Sequence, residues 1–209
     1  MADLPVSLTQ PGPPTHLLYL HGFRSSPQST KAQRMARWAV ERAPGLTFWC
    51  PQLPPSPAEA VALIEAGIAS WPAGRSAVMG SSLGGWYATV VAERHGWPAV
   101  LLNPAVEPAR DLARHIGEQT SWHDPQDRFF FRPEFIDELR ALQPPVPLTR
   151  PARYHAVIAT GDEVLDWREM AARYASGDTV VVEGSDHALS DFEDHLPGVL
   201  AFLGFDPAS

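Results

Sequence analysis

Gly80-Ser81-Ser82-Leu83-Gly84-Gly85-Trp86 follows the apolar run Ala77-Val78-Met79 and leads into Tyr87-Ala88-Thr89-Val90-Val91-Ala92. A strand that becomes a helix through two serines fenced by glycines has two readings. The turn needs small residues, or one serine is held up for chemistry. The stretch fits G-x-S-x-G, with Ser82 at its centre and Ser81 out of register. In such an elbow the serine sits in a strained strand-to-helix turn, and the glycines leave room for the tight backbone. A helix beginning at Leu83 points backbone N–H groups and the positive end of its dipole at the serine. Five positions with three fixed residues recur by chance, so the flanking strand and helix carry the argument.

A reactive serine needs a base, and the base needs a carboxylate to orient it. On a strand-turn-helix serine the chain order is Ser, then Asp or Glu, then His. Asp162 lies just past the run Ala156-Val157-Ile158-Ala159, and His187 just past Val180-Val181-Val182. In a parallel sheet these strand ends share one edge with Ser82, where ligands bind. Asp162 comes first past its strand; Glu163 and Asp166 are the rival acids. His195 is the only other histidine after Asp162. His187, Asp191 and His195 recur every four residues, a spacing that suits a metal on one helical face. A Ser190/Glu193 capping box would start the helix after His187 and break that face, so no metal is expected. The loop Leu20-His21-Gly22-Phe23 supplies the second requirement of acyl transfer. The backbone N–H of Phe23, with that of Leu83, forms the expected oxyanion hole. His21 reads as a loop brace, and Arg24 as a salt-bridged surface residue or a contact for a substrate anion.

Six short apolar runs read as buried strands: 17–20, 46–49, 77–79, 99–102, 154–159 and 179–182. They are mostly continuous, as in parallel sheets covered on both faces. Helical periodicity fills the gaps at 28–42, 58–70, 83–95, 167–175 and 191–203, the first started by Ser26-Pro27 and the last interrupted at Pro197. Ser56 and Glu59 have capping-box spacing, and Gly96 stands where a left-handed stop belongs. The alternation predicts one α/β domain over 1–209 with a mostly parallel sheet and helices on both faces. Residues 104–153 break the rhythm. They read as helices 108–116 and 133–142 around the aromatic patch Trp122, Phe129, Phe130 and Phe131, with no strand. An insertion leaving the end of a central strand is placed to act as a helical lid; the rival reading is that its helices simply pack on the sheet. Its aromatics suggest an apolar acyl pocket; the equal rival is that Phe129, Phe130 and Phe131 are ordinary core residues.

The chain has 209 residues, 44% hydrophobic and 19% charged, as in a folded globular protein. Net charge is −8 and no basic run occurs, so no nucleic-acid partner is expected. Cys50 is the sole cysteine, which fits a reducing cytoplasm. Neither a signal peptide nor a membrane span is expected.

Leu18-Tyr19-Leu20-His21-Gly22-Phe23-Arg24-Ser25-Ser26-Pro27, Gly80–Gly85, Leu102-Asn103-Pro104-Ala105-Val106, Thr160–Asp166 and Gly184-Ser185-Asp186-His187 together resemble α/β-hydrolase-fold enzymes. More narrowly, the chain resembles the small bacterial YqiA-type esterases, from about position 17 to 203. The resemblance implies a cofactor-free serine esterase, with Ser82, Asp162 and His187 at the motif positions and a small-molecule ester or acyl thioester as substrate. Asn103-Pro104 matches the family pattern but receives no chemistry. The full hydrolase fold has two further N-terminal strands; residues before Leu17 are too few and too Pro-rich for them. A trimmed sheet of about six or seven strands is expected. The rivals are a non-catalytic small-molecule binding module on the same scaffold, or a perhydrolase or peptidase using the same serine.

Overall fold

The computed structural model describes residues 12–122, 124 and 126–206. The Pro-rich segment ahead of position 12 lies outside the described residues. Six strands form a parallel sheet: β1 (His16–Leu20), β2 (Thr47–Trp49), β3 (Ser76–Ser81), β4 (Ala99–Leu102), β7 (Tyr154–Ala159) and β8 (Asp178–Val182). Their order is β2-β1-β3-β4-β7-β8, so the elbow strand β3 is central. Register pairs Leu20 with Gly80, Ser81 with Leu102, and Ala159 with Val182. The C-terminal ends of five strands therefore meet at one edge.

Side chains alternate across a strand, and here both faces are covered. Leu18, Leu20, Val78, Leu101 and Ile158 face helices α2 (Pro57–Ile68), α3 (Leu83–His95), α5 (Glu134–Ala141) and α6 (Trp167–Tyr174). Leu17, Tyr19, Met79, Val100 and Val157 face α1 (Thr30–Arg42) and α7 (Phe192–Phe202). This two-sided burial is why the strands read as continuous apolar runs. Each such Leu, Ile or Val contributes roughly 1.5–3 kcal/mol on burial.

Helix ends follow local chemistry in some places and not in others. Ser56 accepts from the Glu59 N–H at 3.2 Å and caps α2. Gly96 ends α3 with φ 72°, its N–H reaching Ala92 O at 2.8 Å. Helix α1 begins later than Ser26-Pro27 implies: Ser29 is its N-cap, without a side-chain bond. Pro197 does not interrupt α7, because Phe192, Leu196, Val199 and Leu200 anchor one continuous buried face. The Ser190/Glu193 capping box is absent; Ser190 Oγ instead donates to Asp186 at 2.6 Å, and Asp191 is the N-cap.

Residues 104–153 depart most from expectation. Helix α4 is shorter (Pro108–Leu112) and continues as a 3-10 turn to His115. Strands β5 (Gly117–Thr120) and β6 (Arg128–Phe131) then form an antiparallel hairpin where no strand is predicted. Gly117-Glu118-Gln119-Thr120 has no apolar run, and three successive phenylalanines hide the alternation. In β6 that alternation is plain: Phe131 is buried, Phe129 half-buried, and Phe130 59% exposed.

The crossing of β3 and α3 leaves no space for side chains. A Cβ on Gly84 would lie 1.9 Å from Leu20 O, and one on Gly80 2.0 Å from Gly84 O. Gly84→Ala should therefore lower stability by about 3 kcal/mol or more, a fall of roughly 10 °C in melting temperature. Thermal unfolding followed by circular dichroism checks this; an unchanged midpoint would show that the crossing can yield.

Candidate active site

β3 ends at Ser81 and α3 begins at Leu83, so Ser82 is the one residue between them. Its backbone has φ 57° and ψ −124°. A non-glycine residue held there costs roughly 1–3 kcal/mol and persists only where its surroundings over-determine it. They do so here. The Ser82 N–H donates to Leu102 O at 3.0 Å, and Ser82 O accepts from Gly85, Trp86 and Ala105. Among the described residues, five non-glycines have positive φ: Arg24, Ser82, Asn103, Ser185 and Leu189. All five follow the C-terminal ends of sheet strands.

The edge brings Ser82, His187 and Asp162 together. His187 Nε2 is 3.0 Å from Ser82 Oγ, and His187 Nδ1 is 2.7 Å from Asp162 Oδ2. An ionised carboxylate only accepts, so Nδ1 carries the proton and Nε2 is left to accept from the serine hydroxyl. Asp162 is enclosed: its side chain is 0% exposed, and Oδ1 accepts from the N–H groups of Val164 and Leu165, both at 2.8 Å. The two rival acids have other places. Asp166 caps α6 by accepting from the Arg168 N–H at 2.9 Å. Glu163 accepts from the backbone N–H of His187 at 2.9 Å. His195 pairs with Asp191 at 3.3 Å, away from the His187 ring.

Gly22 lies against the serine; a Cβ there would be 3.1 Å from Ser82 Cβ. The loop places Phe23 next, and Leu83 occupies the first helical position, where no preceding turn can take its N–H. His21 is a brace: its Nε2 accepts from the Leu53 N–H at 3.1 Å, which leaves Nδ1 to donate to Gly22 O at 3.0 Å. Among the described residues Arg24 makes no salt bridge, and it faces the β5–β6 hairpin. Its Nε donates to Thr120 O at 2.7 Å and its guanidinium lies 4.1 Å over the Trp122 ring. It ties the β5–β6 hairpin to the loop after β1. Phe23 completes that junction by edge contacts with Phe129 and Phe131.

Two cavities flank this loop. One, about 510 Å³, contains Ser82 and His187 and reaches Lys31 and Glu163. The other, about 520 Å³, lies between Phe23, Leu53, Leu63, Tyr87 and Phe129. Of the three successive phenylalanines only Phe129 lines it; Phe131 belongs to the core and Phe130 faces solvent. Lys31 escapes motif reading, though its being the chain's only lysine is visible in the sequence. Its ammonium donates to the carbonyl of Ala188, beside His187. Desolvation lowers its pKa to about 8, against the smaller opposite pull of Asp186.

A family model described as Uncharacterised protein family (UPF0227) matches residues 16–204. Among solved structures, the chain is similar to a putative hydrolase from Agrobacterium vitis S4, with TM-score 0.70 and 17% identity over 94% of this chain and 90% of that one. It is similar to mouse alpha/beta hydrolase domain-containing protein 10, with TM-score 0.66 and 16% identity over 92% of each chain. It is also similar to the esterase domain of a Rhodothermus marinus protein, with TM-score 0.59 and 19% identity over 92% and 85%. The fold is that of the α/β hydrolases. No helix among the described residues is long and apolar enough to cross a membrane.

The folded chain gives up the Lys31 proton near pH 8, whereas an unperturbed lysine holds it to 10.5. Between those values the unfolded state binds more protons, so Lys31 makes stability rise with pH. Urea unfolding of wild type and Lys31→Met should show a stability difference that shifts in favour of wild type from pH 8 to 10. A constant difference would contradict a desolvated ammonium.

Proposed function

The chain belongs to the UPF0227 family, and we propose that it is a serine hydrolase cleaving carboxylic esters or acyl thioesters through an acyl-enzyme. The observation that carries this reading is the hydrogen-bonded series Ser82–His187–Asp162, with a serine held at φ 57° on the edge where strand ends converge.

In the proposed reaction His187 Nε2 takes the Ser82 proton as Oγ attacks the substrate carbonyl. Asp162 keeps the imidazole in the required tautomer and stabilises the imidazolium. The developing oxyanion is bound by the N–H groups of Phe23 and Leu83, with the N-terminal end of α3 behind them. His187 then protonates the leaving alcohol or thiol. Water enters, gives its proton to His187, and attacks the acyl carbonyl; collapse returns the proton to Ser82 and releases the acid. Residues 104–153 act as a lid, since their hairpin is fastened to the Phe23 loop. The apolar cavity beside Phe129 is the reading's acyl pocket.

Hydrolysis of p-nitrophenyl esters of increasing acyl length, with wild type and Ser82→Ala side by side, tests the reading. Wild type should turn over with an optimum set by the apolar cavity, and Ser82→Ala should lose on the order of 10⁴-fold or more in kcat. Undiminished turnover in the variant would remove the mechanism, and no turnover by wild type would favour a binding module. Asp162→Asn should cost ~10²–10⁴-fold through the wrong tautomer. Asp166→Asn should stay within about twofold, because asparagine caps a helix as well as aspartate does. The reverse pattern in steady-state kinetics would reassign the acid.

A further inference from the structure

Asn103 is the first residue past β4, fully buried and with a left-handed φ of 42°. A buried side-chain amide needs partners for its carbonyl and its two N–H groups. Those of Asn103 lie on two different segments. Oδ1 accepts from the N–H of Ala159 at 2.8 Å, at the end of β7 and three residues before Asp162. Nδ2 donates to Asp186 O at 2.9 Å and to His187 O at 3.2 Å. Which atom is oxygen and which nitrogen follows from these partners, one donor and two acceptors. The chain on either side of Asn103 reaches the serine: Leu102 O accepts from the Ser82 N–H, and the Ala105 N–H donates to Ser82 O, both at 3.0 Å.

We infer that Asn103 is a positioning residue that holds the loop carrying His187 in register with Ser82 and Asp162, an inference that rests on His187 being the base proposed above. To the sheet the amide supplies one acceptor, for the Ala159 N–H at the end of β7. Strands β4 and β7 are already paired from Ala99–Tyr154 to Leu102–Val157. The loop after β8 lies outside the sheet, with positive φ at Gly184, Ser185 and Leu189, and Asn103 is its tie to the end of β4 beside the ties it takes from Thr160 and Glu163. The residue type follows from two demands at once. Asparagine tolerates a left-handed backbone better than other non-glycine residues, and it offers two donors beside an acceptor. Aspartate would turn an oxygen toward two carbonyl oxygens. Glycine would satisfy the backbone and supply nothing.

Those two substitutions separate the roles. Asn103→Gly removes the amide while keeping the backbone conformation accessible; Asn103→Asp keeps the acceptor for Ala159 and removes both donors. In the full chain, kcat for the best p-nitrophenyl ester should fall about 10²-fold, as for a small misplacement of catalytic groups. KM should stay within about twofold, since the substrate's own contacts remain. Amide hydrogen exchange across 184–190 should rise while β3, and β7 apart from Ala159, keep their protection. Wild-type kcat with wild-type exchange in Asn103→Gly would overturn the inference. So would a rise in exchange spread over the sheet with KM climbing alongside, the mark of a core role. If Ser82→Ala keeps full turnover, the proposed mechanism fails, and exchange at 184–190 still decides whether Asn103 holds the loop. If the aspartate variant does not fold, the glycine variant decides alone.

Discussion

The tight crossing of β3 and α3 is the constraint on which the rest depends. Gly80 and Gly84 touch backbone to backbone, and Gly84 also meets the end of β1 at Leu20. No side chain can separate these three elements. The chain must therefore pass from strand to helix in one residue, and that residue must take a positive φ. Ser82 is lifted out of the sheet as a consequence of packing. The same crossing sets the first turn of α3, beginning with the Leu83 N–H, beside the serine. Local geometry, close packing and electrostatics thus have one cause.

Strain is concentrated where the loops leave the sheet, and it is countered by hydrogen bonds specific to each loop. His21 ties the loop after β1 to Leu53, and Arg24 ties it to the hairpin. Asn103 ties the loop after β8 to β7. Asp162 closes its own turn through Val164 and Leu165 before it meets His187. The core below is continuous on both faces of the sheet, so it can hold strained loops that would not persist alone.

Much of the fold was legible because its signals are local. Continuous apolar runs between glycines and prolines mark strands buried on both faces. Ser56 and Gly96 mark helix ends by side-chain and backbone chemistry that needs no distant partner. The hairpin was not legible. Its first strand is polar and its second runs through three successive phenylalanines, and tertiary contacts with Phe23 and Phe135 give Phe129 and Phe131 one environment and Phe130 another. The course of α7 through Pro197 was likewise set by a buried face formed with the sheet.

The sequence by itself determined the class of fold and a short roster of residues, because strand ends in a parallel sheet converge whatever the loops do. Ser82, His187 and three acids were all placed on that edge by chain order. Which acid meets the imidazole was decided only in three dimensions: Asp162 is enclosed at 2.7 Å from His187, while Asp166 is occupied as a helix cap and Glu163 by a backbone N–H. The place of Asn103, in contact with segments 56 and more than 80 residues away, was also a tertiary outcome. Spacing along a chain encodes periodicity, but a hydrogen bond between distant loops depends on the path of every element between them.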